Sequence, residues 1–445
     1  VIPPFDPAAP LSHPGTPPAA ADVVVIGGGV VGVMTAWWLA ERGLKAVVLE
    51  KGRVAAEQSS RNWGWVRCQG RDPAELPLMV EAQRHWERLS AETGDALGFR
   101  RAGVLYLADR ERDLAAYEAW LPHARSHGLP SRMLGRAGIA ALLPGHRGSW
   151  PGALWTESDA RAEPWAAVPA LARHAVAKGA RVVEGCAVRA LDLAAGRVAG
   201  VVTEAGRIAA SEVVLAGGAW SALFLRNHGI DLPQLSVRAT VAATAPLPEV
   251  FAGNAADGRL AFRRRQDGGY SLARGGFHEL FLGPDALRAA RRFLPQLRAD
   301  PFGTRFLPAA PRGYPDAWTT PRRWGEGPSP FEACRILDPA PHRGVVRALA
   351  RDFAATFPAL GEVRLARAWA GMIDTLPDVV PVIDRAPVPG LTVATGTSGH
   401  GFGIGPGVGR VVADLVAGND PGHDLTRFRF GRFSDGSPVV LGPSL

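Results

Sequence analysis

Gly27, Gly29 and Gly32 stand at the spacing Gly-x-Gly-x-x-Gly directly after the run Val23-Val24-Val25-Ile26, and Glu50 closes the next β-branched run, Ala46-Val47-Val48-Leu49-Glu50. A pyrophosphate is bound by bare backbone amides, and these positions supply them. Gly27 permits a tight turn, Gly29 lets the backbone approach the phosphates, and Gly32 lets a helix pack closely on a strand. A helix opening at Val30-Val31 adds unpaired N–H groups and a positive dipole end. Glu50, 18 residues after Gly32, suits an acceptor for a ribose diol. The pattern predicts an ADP-ribose-containing dinucleotide; FAD and NAD are both open on this motif alone.

Three further patterns could face the same ligand. Ser59-Ser60-Arg61-Asn62 forms a polar loop soon after Glu50, and Gly217-Gly218-Ala219-Trp220 follows the strand-like Glu212–Leu215. Gly399-His400-Gly401-Phe402-Gly403 opens a glycine run that leads into a predicted helix over Gly405–Val416, with Pro406 in its first turn. That helix would aim its positive end back at the glycine loop. The alternate glycines 401, 403, 405, 407 and 409 suit close approach of a flat ring.

The elements that must hold these residues are legible in outline. Periodicity predicts helices over Val30–Leu39, Pro77–Glu92, Leu114–His127 and Ala166–Ala177. Strands are predicted at Gly103–Leu107, Arg181–Glu184, Gly200–Thr203, Ser236–Ala243 and Leu391–Thr395. Prolines and arginines crowd residues 301–345 and forbid long regular elements there. The plan is an α/β nucleotide domain of discontinuous segments, with an inserted α+β substrate domain built on a sheet. Residues 21–96, 151–230 and 364–425 fall to the first, and 97–150 and 231–363 to the second. Residues 1–20 are read as an N-terminal arm and 426–445 as a C-terminal tail.

Composition narrows the class. The 445 residues carry a formal charge of +8, but only Lys45, Lys51 and Lys178 are lysines and no basic block occurs, which argues against nucleic acid. Cys68, Cys186 and Cys334 lack metal-ligand spacing and cannot all pair, so a reduced, cytoplasmic protein without a metal site is expected. The apolar stretch 23–40 is accounted for by a strand and a helix, and no membrane span is expected.

Together the four motifs resemble the D-amino-acid-oxidase-like flavoproteins, which include D-amino acid oxidases and dehydrogenases, glycine oxidases and sarcosine oxidases. The likeness covers roughly residues 21–70, 180–222 and 364–418. It implies a Rossmann-like FAD-binding domain. Gly27, Gly29, Val30, Val31, Gly32, Glu50 and Lys51 would hold the ADP side, and Ser59, Ser60, Arg61 and Asn62 would follow the pyrophosphate and flavin. Val188 would lie by the adenine, Gly217 and Trp220 would line the cleft, and Gly399, His400, Gly401, Phe402 and Gly403 would contact the flavin. The implied reaction is oxidation of the C–N bond of an amino acid or secondary amine by hydride transfer to the flavin. The product is an imine that hydrolyses to an oxo compound, and the electrons pass to O2 or another acceptor.

Three positions depart from the relatives. Ile373 stands where glycine and D-amino acid oxidases carry a carboxylate-clamping arginine. Gly403 stands where monomeric sarcosine oxidases carry a lysine. Gly371 occupies the place of their flavin-linking cysteine, so non-covalent FAD is expected. Arg67, which roughly matches a carboxylate-binding arginine of sarcosine oxidases, and Arg274 are therefore the candidate cations. Tyr270 is a candidate substrate hydrogen-bond partner and Asp374 a candidate ammonium partner. An N-substituted or cyclic imino acid leads, with a D-amino acid also open. The alternatives are polyamine or primary amine oxidation, and a flavoprotein subunit of a multisubunit dehydrogenase, in which case a partner subunit or oligomer is implied.

Overall fold

The computed structural model describes residues 9–442; residues 1–8 of the expected arm and 443–445 of the expected tail lie outside it. Strand Val23–Ile26 sits inside a six-stranded sheet. The strand order is 382–385, 391–395, 212–215, 23–26, 46–50, 181–184, parallel except for the edge strand Val382–Arg385. The β-branched runs suit strands covered on both faces. Val23, Val25 and Val48 turn towards one hydrophobic cluster, and Val24, Val47 and Leu49 towards another.

On the first face lie the helices Val30–Glu41, Leu76–Thr93, Pro164–Ala177 and Gly401–Ala417. Every residue from Val30 to Leu39 is buried, so apolarity all round this helix reports a helix enclosed by protein. The second face is covered by the three-stranded sheet Val188–Ala194, Arg197–Thr203, Gly206–Ala209 and the short helix Ser221–Asn227.

A ten-stranded mixed sheet forms the second layer system, centred on Leu235–Thr244. Two strands of this sheet fall outside the segments expected for it. Gly152–Thr156 pairs with Val104–Leu107, and the eleven-residue strand Leu365–Thr375 pairs antiparallel with Leu235–Thr244 from Leu235↔Thr375 onward. The expected boundaries at 151 and 364 are corrected accordingly. Both strands are continuous with nucleotide-side segments in sequence, and their cross-strand partners decide where they belong. The segment 301–345 contains only short elements, Thr304–Leu307, Pro330–Ala333 and the beginning of the helix Arg343–Thr356.

The last helix begins at Gly401, four residues earlier than expected, and Pro406 lies inside it. Gly405, Gly407 and Gly409 face protein, so of the alternate glycines only Gly401 and Gly403 border the cavity. A Cβ on Gly405 would lie 2.7 Å from the Val30 side chain, one on Gly407 2.9 Å from the Leu78 carbonyl, and one on Gly409 2.6 Å from the Met34 backbone. The bare face lets this helix nest against Val30–Glu41 and Leu76–Thr93. The indole N–H groups of Trp38 and Trp86 donate to the carbonyls of Pro406 (3.0 Å) and Gly403 (2.8 Å) across the same contacts.

Candidate active site

A continuous cavity of about 980 Å³ runs from the turn after Val23–Ile26 to the cavity face of the ten-stranded sheet. At the first end Gly27 has φ +107°, and a Cβ there would lie 2.5 Å from the Ala216 carbonyl oxygen; one on Gly32 would lie 2.0 Å from the Gly27 carbonyl oxygen. These are the tight turn and the close helix–strand contact that the spacing predicts. The Val30 amide donates to Ser59 Oγ (2.9 Å), so the polar loop is tied to the helix N-terminus. Glu50 accepts from the Gly28 amide (2.8 Å) and the Gly52 amide (2.7 Å), bracing both turns around the ribose position. Burial raises its carboxyl pKa against the pull of Lys51 and those two amides.

Gly29, Val30, Val31, Lys51, Ser59, Arg61, Asn62, Val188, Gly217 and Trp220 all line this half of the cavity, whereas Gly32 and Ser60 stand behind it. The Ser60 hydroxyl turns back to the Glu57 carbonyl (3.4 Å). The Lys51 ammonium lies 4.4 Å from the Trp220 ring centroid, with Glu57 at 2.7 Å and the Cys334 carbonyl at 2.8 Å. It therefore fastens the 334–337 stretch over the nucleotide end. Glu57 completes that knot, accepting from the Trp220 indole (3.0 Å) and the Leu337 amide (3.0 Å). Arg61 spends its guanidinium on the carbonyls of Ala56 (2.9 Å) and Ala370 (2.9 Å) and on Asp338, joining the polar loop to strand Leu365–Thr375.

At the other end Gly399 to Gly403 line the cavity, with the N-terminus of the last helix beside it. Asp374 is buried and uses its carboxylate on this loop. It accepts from the Gly396 amide (2.7 Å) and the hydroxyls of Thr395 (3.3 Å) and Thr397 (3.5 Å). Desolvation raises its pKa. It lines the cavity as the residue that shapes the glycine loop, with its oxygens already engaged by protein. His400 Nδ1 and Trp65 Nε1 are buried and lack a hydrogen-bond partner among the described residues, and both side chains border the cavity. Burial first, then Arg67 and Arg71, holds the His400 imidazole well below its usual pKa, so it is neutral. Two helix N-termini, a glycine-walled nucleotide end and unpaired polar atoms at the far end fit a bound FAD.

The structure separates the substrate-side candidates. Arg67 lines the cavity, is 8% exposed, and lies 5.6 Å from the centroid of the Tyr106 ring; no carboxylate among the described residues forms an ion pair with it. Its neighbour Arg71 is fully committed, to Glu75 (3.3 Å) and to the carbonyls of Arg67 (3.0 Å) and His400 (3.0 Å). Tyr270 does not reach the cavity. It is buried in the core of the second layer, and its hydroxyl bonds the backbone at Val250 (2.9 Å) and Phe251. Arg274 also points away, to the Arg259 carbonyl (3.2 Å) and Asp352 (3.6 Å). Strand alternation explains both. Val241 faces the cavity and pairs with Ala273, so Tyr270, Leu272 and Arg274 belong to the opposite face. Ile373 and Gly371 do face the cavity.

Sequence reading missed Arg71, Glu57, Tyr106 and Phe331. The Arg71–Glu75 spacing of four was a usable signal for a helix-entry ion pair. The others reach the cavity from segments that carry no motif.

Residues 22–415 match the family model described as FAD dependent oxidoreductase, and the chain belongs to that family. Among solved structures, the L-amino acid deaminase from Proteus myxofaciens, in complex with anthranilate, superposes with a TM-score of 0.90 at 31% identity, covering 95% of this chain and 96% of that one. Sarcosine oxidase subunit beta of Rhizobium meliloti is 26% identical over 96% of this chain and 92% of its own length. Mitochondrial sarcosine dehydrogenase of Mus musculus is 31% identical over 49% of this chain, and the match spans only 25% of that protein. Among the described residues no helix is long and apolar enough to cross a membrane.

Proposed function

We propose that this chain oxidises the C–N bond of an α-amino acid, primary or N-substituted, and that Arg67 holds the substrate carboxylate. The observation that carries this reading is a buried guanidinium in the cavity wall with no acidic ion-pair partner among the described residues. Such a group favours an arriving carboxylate, and the two can pair bidentately. The named activities of the relatives, on L-amino acids and on sarcosine, share an α-amino acid skeleton.

Bound in the cavity, FAD supplies the acceptor for the hydride lost from the substrate Cα. The residues of the chain provide the positioning. Arg67 fixes the carboxylate, which fixes Cα relative to the rest of the wall. The neutral His400 adds no second cation beside the amine, and its unpaired Nδ1 is available to an amine N–H. Trp63, Trp65 and Tyr106 line the same stretch and keep water from it. The substrate would react as its free-base amine, the nitrogen lone pair forming the C=N bond as the carbon gives up its hydride; water then hydrolyses the iminium to an oxo acid and ammonium or an alkylammonium ion. None of the three cysteines lines the cavity, which supports non-covalent FAD, retained by the Lys51–Glu57–Trp220 knot.

The test is steady-state oxidation of an amino acid panel with a dye acceptor, in the parent protein and in Arg67→Met. The expected result is a KM raised by roughly a hundredfold, the loss of a charge-assisted bidentate contact, with FAD content unchanged. An unchanged KM contradicts the assignment. A second reading, a flavoprotein subunit of a larger assembly, is favoured by the nearly end-to-end match with the sarcosine oxidase β subunit.

A further inference from the structure

We infer that Asp159 is the positioning residue of Arg67, setting its guanidinium through the two backbone amides that follow it. The inference rests on the reading of Arg67 as the carboxylate clamp. Arg67 leaves the two-residue strand Trp65–Val66, which pairs antiparallel with Ala160–Arg161 in the register Val66↔Ala160. One step further the ladder ends, and Asp159 takes over with its side chain. Its Oδ1 accepts from the Cys68 amide (2.7 Å) and its Oδ2 from the Gln69 amide (3.0 Å). Gln83, on helix Leu76–Thr93, donates to the same Oδ1 (2.8 Å) and to the Val66 carbonyl (3.4 Å).

The turn that Asp159 holds matters for the clamp because the Arg67 side chain is braced by it: Arg67 Nη1 donates to the carbonyl of Gln69, whose amide Asp159 grips. Asp159 is itself fixed, since its own carbonyl accepts from the Gly103 amide (2.8 Å) and it is 0% exposed. Asp159 does not line the cavity, so it acts on a ligand indirectly, and the turn that carries Arg67 is where both its carboxylate oxygens are spent. A carboxylate is the fitting group here, because it offers acceptors on both oxygens and no donor to oppose three N–H groups. An amide in its place turns an NH2 towards one of those donors. Burial pushes the carboxyl up to about 6, against the pull of the Cys68 and Gln69 amides, Gln83 and Arg67.

The test is titration of the FAD-loaded protein with benzoate, a carboxylate without an amine, followed by perturbation of the flavin absorbance, in Asp159→Asn, Gln83→Met and Arg67→Met. Asp159→Asn is expected to weaken benzoate binding about tenfold and Gln83→Met about threefold, the scale of one or two lost hydrogen bonds. Dissociation of FAD should change less than twofold in both. The oxidation kinetics should move in KM with kcat within about threefold. A merely structural residue would move FAD affinity and kcat along with the benzoate constant, and that outcome overturns the inference. Unchanged benzoate binding in Asp159→Asn, with Arg67→Met strongly weakened, also overturns it while leaving the clamp in place. Unchanged binding in Arg67→Met instead overturns the clamp and the positioning role together. If Asp159→Asn does not fold, Gln83→Met decides on the same readouts.

Discussion

Glu50 and Asp374 use carboxylates in the same way, to shape backbone that then meets a ligand. Glu50 bridges the Gly28 and Gly52 amides, and Asp374 gathers Gly396 with Thr395 and Thr397. Glu50→Ala removes two hydrogen bonds to a charged acceptor, each worth about 1.5–3 kcal/mol in such settings. We expect FAD affinity to fall by tenfold or more, and the melting temperature of the FAD-free protein to fall as well, measured by flavin fluorescence titration and calorimetry. A variant that binds FAD like the parent would show that Glu50 does neither job. At this scale, residues whose role is local were readable. The positive φ of Gly27 and the contact at Gly32 follow from spacing along a few residues. Arg67, beside the polar loop, and Arg274, on a predicted substrate-domain strand, were both candidate cations, and the facing of the ten-stranded sheet turns Arg274 away from the cavity. Tyr270 failed as a substrate residue for the same reason, one strand phase.

The last helix shows how packing overrides propensity at the scale of an element. Pro406 was read as a first-turn proline, which put the helix start at Gly405, and glycine costs roughly 1 kcal/mol per residue in a helix interior. The helix starts at Gly401, and Gly405, Gly407 and Gly409 within it sit where no side chain fits against Val30, Leu78 and Met34. Gly409→Ala would place a Cβ 2.6 Å from backbone of the neighbouring helix, a contact that no rotamer relieves. A loss of about 1–3 kcal/mol is expected by chemical denaturation. Gly431→Ala, where a Cβ meets nothing within 4 Å, is the control and should change stability little. The proline-rich stretch 301–345 was read as lacking long elements, and its short elements agree with that. Its contact with the nucleotide end was not readable. Arg335 pairs with Glu204 across 131 residues, and a Cβ on Gly52 would meet the Arg335 carbonyl oxygen at 2.2 Å.

For the molecule as a whole, the two sheets meet along one cavity, and the chain passes between them several times. The strands Gly152–Thr156 and Leu365–Thr375 are the last of the ten-stranded sheet before the chain returns to the six-stranded one, which is why linear boundaries misplaced them. The dinucleotide end of the cavity comes from contiguous motifs. The substrate end is assembled from residues as distant as Arg67, Tyr106, Ile373 and His400, so its chemistry emerges only when the sheets are stacked. In the proposed function this cavity joins a bound FAD to an α-amino acid held by its carboxylate. Anaerobic mixing of the FAD-loaded protein with a panel of α-amino acids, N-substituted amino acids and the matching amines lacking the carboxylate tests it directly. Loss of the oxidised flavin band is expected with members of the carboxylate-bearing sets, and little or none with the amines. Bleaching by amines alone, or by no member of the panel, would contradict it.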